Sequence, residues 1–250
     1  MNKIDPPSET IIGAPFEARL RSGLVDHATS DEAENMTDRG IFKIRAADSE
    51  GHRSSVRILV NRMYAARGYH STIASTDEPS NRVTLVASEQ EVVIGTLSIS
   101  FDSDEELLVD ELFSAEAEGL RVASYKLCEF TKLAIDTSAR SKRVLASLFH
   151  VAYILAYRLR GFHLLLIEVN PRHVRYYQRM LGFEVCGPER INLRVNAPAV
   201  LLCLDFNHAQ RQIGKLAGTA EAAEGGRSLY PHFFSVAEEA AIVGRMRPLE

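Results

Sequence analysis

The 250-residue chain has no tryptophan, three cysteines, and no apolar run long enough to cross a membrane, which takes roughly 18 to 20 residues. Cys128, Cys186 and Cys203 are an odd number and stand singly in apolar stretches. That excludes a disulfide framework and a C-x-x-C metal site, and fits a reducing, cytoplasmic setting. The first ten residues, MNKIDPPSET, lack the apolar core of a signal peptide. Net charge is small as well, −4 at a pI near 6.1, which argues against a nucleic-acid binder built on the charge of the whole chain. What is present is ordinary globular composition, 46% hydrophobic and 25% charged, on a chain long enough to bury a sizeable core.

Residues 1–40 carry prolines and Ser/Thr/Asp clusters with little periodicity, and read as a flexible arm. Residues 41–48 (IFKIRAAD) alternate like a half-buried strand. HRSSVRILVNRMYAARGY then spaces Val56, Leu59, Val60, Met63 and Tyr64 as a helix does, with Ser54 or Ser55 as N-cap and Gly68 as stop. NRVTLVASE and EVVIGTLSISFD form a hairpin around residues 88–90. An acidic loop and short helix precede the strand KLCEFTKLAID, and a long helix over residues 143–160 ends at Gly161. HLLLIEVN, PRHVRYYQRML, GFEVCG and AVLLCLDF supply strand, helix, strand and closing strand. Strand, long helix, strand is a crossover and makes a parallel pair, while the hairpin is antiparallel. The expectation is one α/β (α+β) domain over residues 41–206 with a mixed, mostly antiparallel sheet flanked by helices. A C-terminal helical extension, residues 207–250, includes FSVAEEAAIVGRM.

This order, with the run from Lys126 to Phe183, resembles the GNAT acyltransferase fold. CEFTKLAID is similar to the family's fourth strand, whose splayed edge hosts an acyl thioester. Asn170, Tyr177 and Gly182-Phe183 match its N…Y…GF pattern. CoA-dependent members hold the pyrophosphate in a glycine-rich turn before the long helix. Here that turn, DTSARSKR at residues 136–143, contains no glycine. A glycine-free turn resembles the branches fed by acyl carrier protein: LuxI-type acyl-homoserine-lactone synthases and FeeM-type long-chain N-acyl amino acid synthases. VDELFSAEAEGLRVASYKLCEFTKLAID, GPERINLRVNAPAVLLCLDF and SLYPHFF look most like the second.

The resemblance implies transfer of a long-chain acyl group from acyl carrier protein to the α-amine of an amino acid. No tightly bound cofactor is implied, since the acyl-phosphopantetheine thioester of the carrier is a co-substrate. Such a reaction needs a base for the ammonium proton. Glu129 is the candidate, at the glutamate of the lactone synthases' E-x-x-R pattern, with Lys132 where their arginine stands. Burial in an apolar strand would raise its pKa unless a cation pairs with it. A backbone N–H near Leu133 or Ala134 is the candidate polariser of the carbonyl, at a β-bulge that the sequence does not locate. Tyr176 and Tyr177 are candidate acids for the departing thiolate, Tyr177 alternatively packing against the core. Asp110 either contacts the substrate ammonium or belongs to a solvated acidic run, and Asn170 is a further substrate-binding candidate. His163, Glu168 and His173 lack metal-ligand spacing, so no metal is expected.

Charge is segregated along the chain. Residues 102–118 hold eight acidic side chains and no Lys or Arg, whereas Arg140, Lys142 and Arg143 lead a basic set about the expected thioester entrance. An acidic carrier protein would be steered to that rim, although helix ends favour such charges in any case. Rival readings keep the fold and change the substrate, as a CoA-dependent N-acetyltransferase or a lactone synthase, or remove activity to leave an acyl- or protein-binding module. The absence of tryptophan counts against the lactone synthase.

Overall fold

The computed structural model describes residues 10–12, 42–69, 80–136, 142–220 and 226–246. Nine strands are seen among these: β1 Thr10–Ile12, β2 Phe42–Ala46, β3 Arg82–Glu89, β4 Val92–Phe101, β5 Leu127–Ile135, β6 Leu164–Val169, β7 Glu184–Val185, β8 Arg190–Asn192 and β9 Ala197–Asp205. Their order is β1-β2-β3-β4-β5-β6-β9-β7, with β8 also on β9. All pairs are antiparallel except β5 with β6, the pair joined by the long-helix crossover. The helices are α1 Glu50–Ala65, α2 Asp110–Val122, α3 Lys142–Tyr153, α4 Val174–Leu181, α5 Phe206–Leu216 and α6 Val236–Met246.

Several sequence expectations change in detail. Helix α1 begins before Ser54, because Ser49 caps it by accepting the His52 N–H. The β3–β4 turn is Gln90-Glu91, both at positive φ (46° and 66°), as a two-residue hairpin of right-handed strands requires. The acidic segment makes a 13-residue helix, kinked at Phe113. The long helix is α-helical only to Tyr153 and continues as a π-helix over Ile154–Leu159. Strand β8 and helix α5 were not anticipated, nor was the strand at residues 10–12 inside the arm.

The two faces of the sheet are built differently. Leu85, Leu97, Ile99, Cys128, Phe130, Leu165, Ile167, Leu202 and Leu204 point to one face and pack with α3 in the main core. The extension completes this core: Leu229, Tyr230, Phe233, Phe234 and Ile242 are all buried in it. It is fixed there by His150, whose Nδ1 accepts the Phe234 N–H at 3.0 Å. Nε2 of the same ring lies 3.2 Å from Glu239, which in turn meets Arg158 at 3.1 Å. His150 is therefore a satisfied core residue in its neutral form, and burial pushes its pKa down.

The opposite face carries two separate apolar patches. Val56, Leu59, Val60 and Met63 of α1 pack with Val86 and Ala134 of the sheet. Phe113 of α2, with Leu107 and Val109 before it, packs with Leu127, Leu164, Leu166 and Leu201. Between these patches the sheet presents polar side chains instead.

Candidate active site

Strand periodicity places Arg82 and Thr84 of β3, Thr96, Ser98 and Ser100 of β4, Glu129 and Thr131 of β5, and Glu168 of β6 on this second face, since their sequence neighbours belong to the main core. Thr84, Thr96, Ser98, Ser100 and Glu129 are all buried. Buried hydroxyls normally find partners. Thr84 Oγ1 and Ser98 Oγ meet at 2.7 Å, but Thr96 Oγ1 and Thr131 Oγ1 have no partner among the described residues. These side chains form a buried polar row on the sheet, flanked by two helices, with hydrogen-bonding capacity left unmet among the described residues.

This polar row meets a fork in the sheet. β5 and β6 are paired at Leu127–Leu164, Cys128–Leu165 and Glu129–Leu166, and the pairing stops there although both strands continue. Glu129 thus stands on the last rung before the strands diverge, and Glu168 follows on the same face of β6. Beyond the rung, the facing backbone groups of the two strands lack each other as partners and are open to an extended amide chain. The β4–β5 register slips by one residue between Thr131 and Ala134, where Lys132 has φ +50°. This is the β-bulge, and it locates the strand irregularity beside Leu133 and Ala134.

Glu129 is 1% exposed and accepts the Leu108 N–H at 2.8 Å. Burial first, then the neighbouring Glu168, pushes its pKa up to about 8, against smaller opposing effects of the Leu108 N–H, Arg194 and Arg82. Glu168 is also shifted upward by burial, opposed by Arg194 and Asn192. Arg194 reaches Glu168 at 3.1 Å and Glu111 at 3.4 Å, and Asn192 also donates to Glu168. The turn after β8 therefore holds a cation between the mostly buried Glu168 and the exposed Glu111.

The remaining sequence candidates fall in different places. Asp110 is not a bare carboxylate awaiting an ammonium. Arg121 grips both its oxygens at 2.7–2.8 Å and the Leu107 N–H adds 2.9 Å, so its observed work is to fasten α2. Asn170 caps the turn over Pro171–His173 by accepting the Arg172 N–H at 3.2 Å. Tyr177 packs edge-on against Phe183 at 5.7 Å, its pKa raised by burial, and Tyr176 beside it is more exposed. Gly182 stops α4 at φ +81°, a conformation in which a Cβ would lie 2.6 Å from His208. That explains the Gly of the Gly-Phe pair. Cys128 lies on the opposite face from Glu129, as strand alternation requires. Lys142 and Arg143 begin α3 beside His232, whose pKa they and its burial lower. Arg140 lies outside the described residues.

Arg82, Glu168 and Arg194 escaped the sequence reading as site residues. Signals existed: Glu168 is the lone charge in HLLLIEVN, and T-L-S-I-S in β4 alternates hydroxyl with apolar over a fully buried strand. Among the described residues, no group of three or more His, Cys, Asp or Glu is arranged to hold a metal ion. Likewise, none of the described helices is long and apolar enough to cross a membrane.

Comparison with known proteins agrees with this geometry. Residues 55–205 match the family model of the N-acyl amino acid synthase FeeM. No curated protein matches the sequence. Among solved structures, FeeM, an N-acyl amino acid synthase from uncultured soil microbes, superposes with a TM-score of 0.64 at 27% identity, covering 69% of this chain and 95% of FeeM. The acyl-homoserine-lactone synthase LasI gives a TM-score of 0.51 at 13% identity over 67% of this chain and 91% of LasI, a likeness of fold.

Proposed function

Since the chain belongs to the FeeM family of N-acyl amino acid synthases, and is thereby an acyltransferase, we propose that it moves a long-chain acyl group from acyl carrier protein to the α-amine of an amino acid. The observation that carries this reading is Glu129, buried at the fork of β5 and β6 with a pKa near 8. In the reaction, the amine nitrogen forms a bond to the thioester carbonyl carbon and the carbon–sulfur bond breaks. The ammonium proton leaves to Glu129, directly or through a water, and the thiolate takes a proton on departure. A carboxylate with a pKa near the working pH suits such a transfer.

The bulge at Lys132 supports the backbone around Leu133 and Ala134 as the donor to the carbonyl oxygen, where charge develops as the amine adds. Tyr177, its phenol protonated at working pH, is the candidate acid to the departing thiolate, although burial makes it a weaker donor.

Two features favour a carrier protein over coenzyme A as donor. The turn before α3 has no glycine to form a tight phosphate nest, and Lys142 and Arg143 gather positive charge where α3 begins. The same long acyl chain presented on carrier protein and on coenzyme A is expected to give a kcat/KM at least about tenfold higher from the carrier, falling with salt. Charge reversal at Lys142 and Arg143 is expected to raise the KM for the carrier and flatten that salt dependence. Equal or better turnover from acyl-CoA, with no salt effect, would reject the carrier as donor.

A further inference from the structure

Most guanidinium groups about the second face of the sheet are paired with carboxylates, Arg45 of β2 with Glu91 among them. Arg121 is neutralised by Asp102 and Asp110, Arg190 by Glu116, and Arg194 by Glu111 and Glu168. Arg82 differs. Its Nε donates to Ser100 Oγ at 2.9 Å, and among the described residues it makes no ion pair. The bond to Ser100 fixes the plane of the guanidinium and leaves both Nη groups outside it.

Register gives this cation its meaning. Arg82 pairs with Ser100 across β3 and β4, and Ser100 pairs with Glu129 across β4 and β5. The three residues form one row on one face. With neighbouring strands about 4.8 Å apart, the backbones of Arg82 and Glu129 are about 10 Å apart, and the Arg82 charge is near enough to oppose the raised pKa of Glu129 slightly. The hydroxyls of Thr96 and Thr131, without partners among the described residues, lie on the same face. A fixed guanidinium with no counterion among the described residues at one end of a row and a buried carboxyl at the other complement a zwitterion.

We propose that Arg82 binds the α-carboxylate of the acceptor amino acid, with Ser100 holding the guanidinium for two parallel hydrogen bonds, and so sets the preference for α-amino acids over simple amines. The inference rests on the reading of the protein as an amino acid N-acyltransferase. Arginine suits the task because its planar fork matches the two oxygens of a carboxylate. The carboxylate anchored there directs the adjacent amine along the row toward Glu129, at the start of the fork.

The test compares the amino acid that the wild-type enzyme acylates fastest with the amine left when its carboxylate is removed. Arg82→Ala is expected to lower kcat/KM for the amino acid by about 30-fold or more, chiefly through KM. The amine should be acylated at a rate within about twofold of wild type, so that discrimination collapses. Arg82→Lys, which keeps the charge and loses the fork, should recover part of the preference and supplies the same comparison if the alanine variant does not fold. Unchanged discrimination in a folded Arg82 variant would overturn the assignment. So would equal losses for amine and amino acid, or a collapse produced by Arg194→Ala and not by Arg82→Ala. A wild-type enzyme that acylates amine and amino acid equally well overturns this inference alone; one that acylates neither overturns the underlying reading and this inference with it.

Discussion

Glu129→Gln is expected to lower kcat by about 10² or more, the usual contribution of a positioned base, while raising stability in alkaline solution. The amide keeps an oxygen for the Leu108 N–H, so the local hydrogen bond survives. What it loses is the ability to take a proton. For the wild type, kcat/KM should climb about tenfold per pH unit below the Glu129 pKa and level off above about 8. The variant should lack that limb.

Stability runs the other way. In the unfolded chain Glu129 ionises near its ordinary value of 4.5, in the folded chain near 8. Below the first value both states are protonated and the residue carries no penalty. As pH rises from 4.5 to 8 the folded state retains a proton that the unfolded state has lost, so folding weakens, and the full cost persists above 8. That cost is on the order of 3–5 kcal/mol, and glutamine does not incur it. Thermal melts should therefore show the variant more stable than wild type at pH 9, with the gap closing toward pH 5. A variant that is inactive and less stable at every pH would identify Glu129 as a packing residue. A stability cost of this kind fits the proposed role of Glu129, since proteins retain strained or poorly solvated groups where chemistry requires them.

The second large effect concerns the C-terminal segment. A chain ended after Gly226 is expected to give no cooperatively folded protein. It would lose Leu229, Tyr230, Phe233, Phe234 and Ile242, each no more than 4% exposed. At about 1.5–3 kcal/mol per buried side chain, these five remove an amount comparable to the net stability of a typical domain, about 5–15 kcal/mol. His150 would also be left without the Phe234 N–H and Glu239, an unpaired polar ring inside an apolar core. Soluble yield and a thermal melt check this. A truncated chain melting within a few degrees of the full one would mean that the segment is an accessory.

That dependence could not be read from the sequence. The periodicity of FSVAEEAAIVGRM indicates a helix but carries no address, and SLYPHFF has the aromatic content of a core segment without the period of any element. Strand order was more legible. β2 to β6 follow from alternation and turn chemistry, and the parallel pair follows from the crossover rule, because these signals are local. Non-local signals were not legible: β8 is a three-residue strand recognisable only by its partner, and the π-helical end of α3 preserves the composition of an α-helix. At the site, Glu129 was identified through its resemblance to a known strand. Arg82, Glu168 and Arg194 were missed because each gains meaning only from register. A hydroxyl alternating with leucine is compatible with a solvent-facing strand until a helix is found on either side of it. Asp110 shows the converse, since an acidic residue in an acidic run gives no sign in the sequence that Arg121, eleven residues on, holds it.

The most direct test of the account is the product itself. The protein is incubated with a long-chain acyl group loaded on carrier protein and a mixture of ¹⁵N-labelled amino acids, and the products are read by mass spectrometry. The account predicts an N-acyl amino acid carrying the label, absent with Glu129→Gln. Free fatty acid alone, or acylated amines without a carboxylate in place of acylated amino acids, would contradict it.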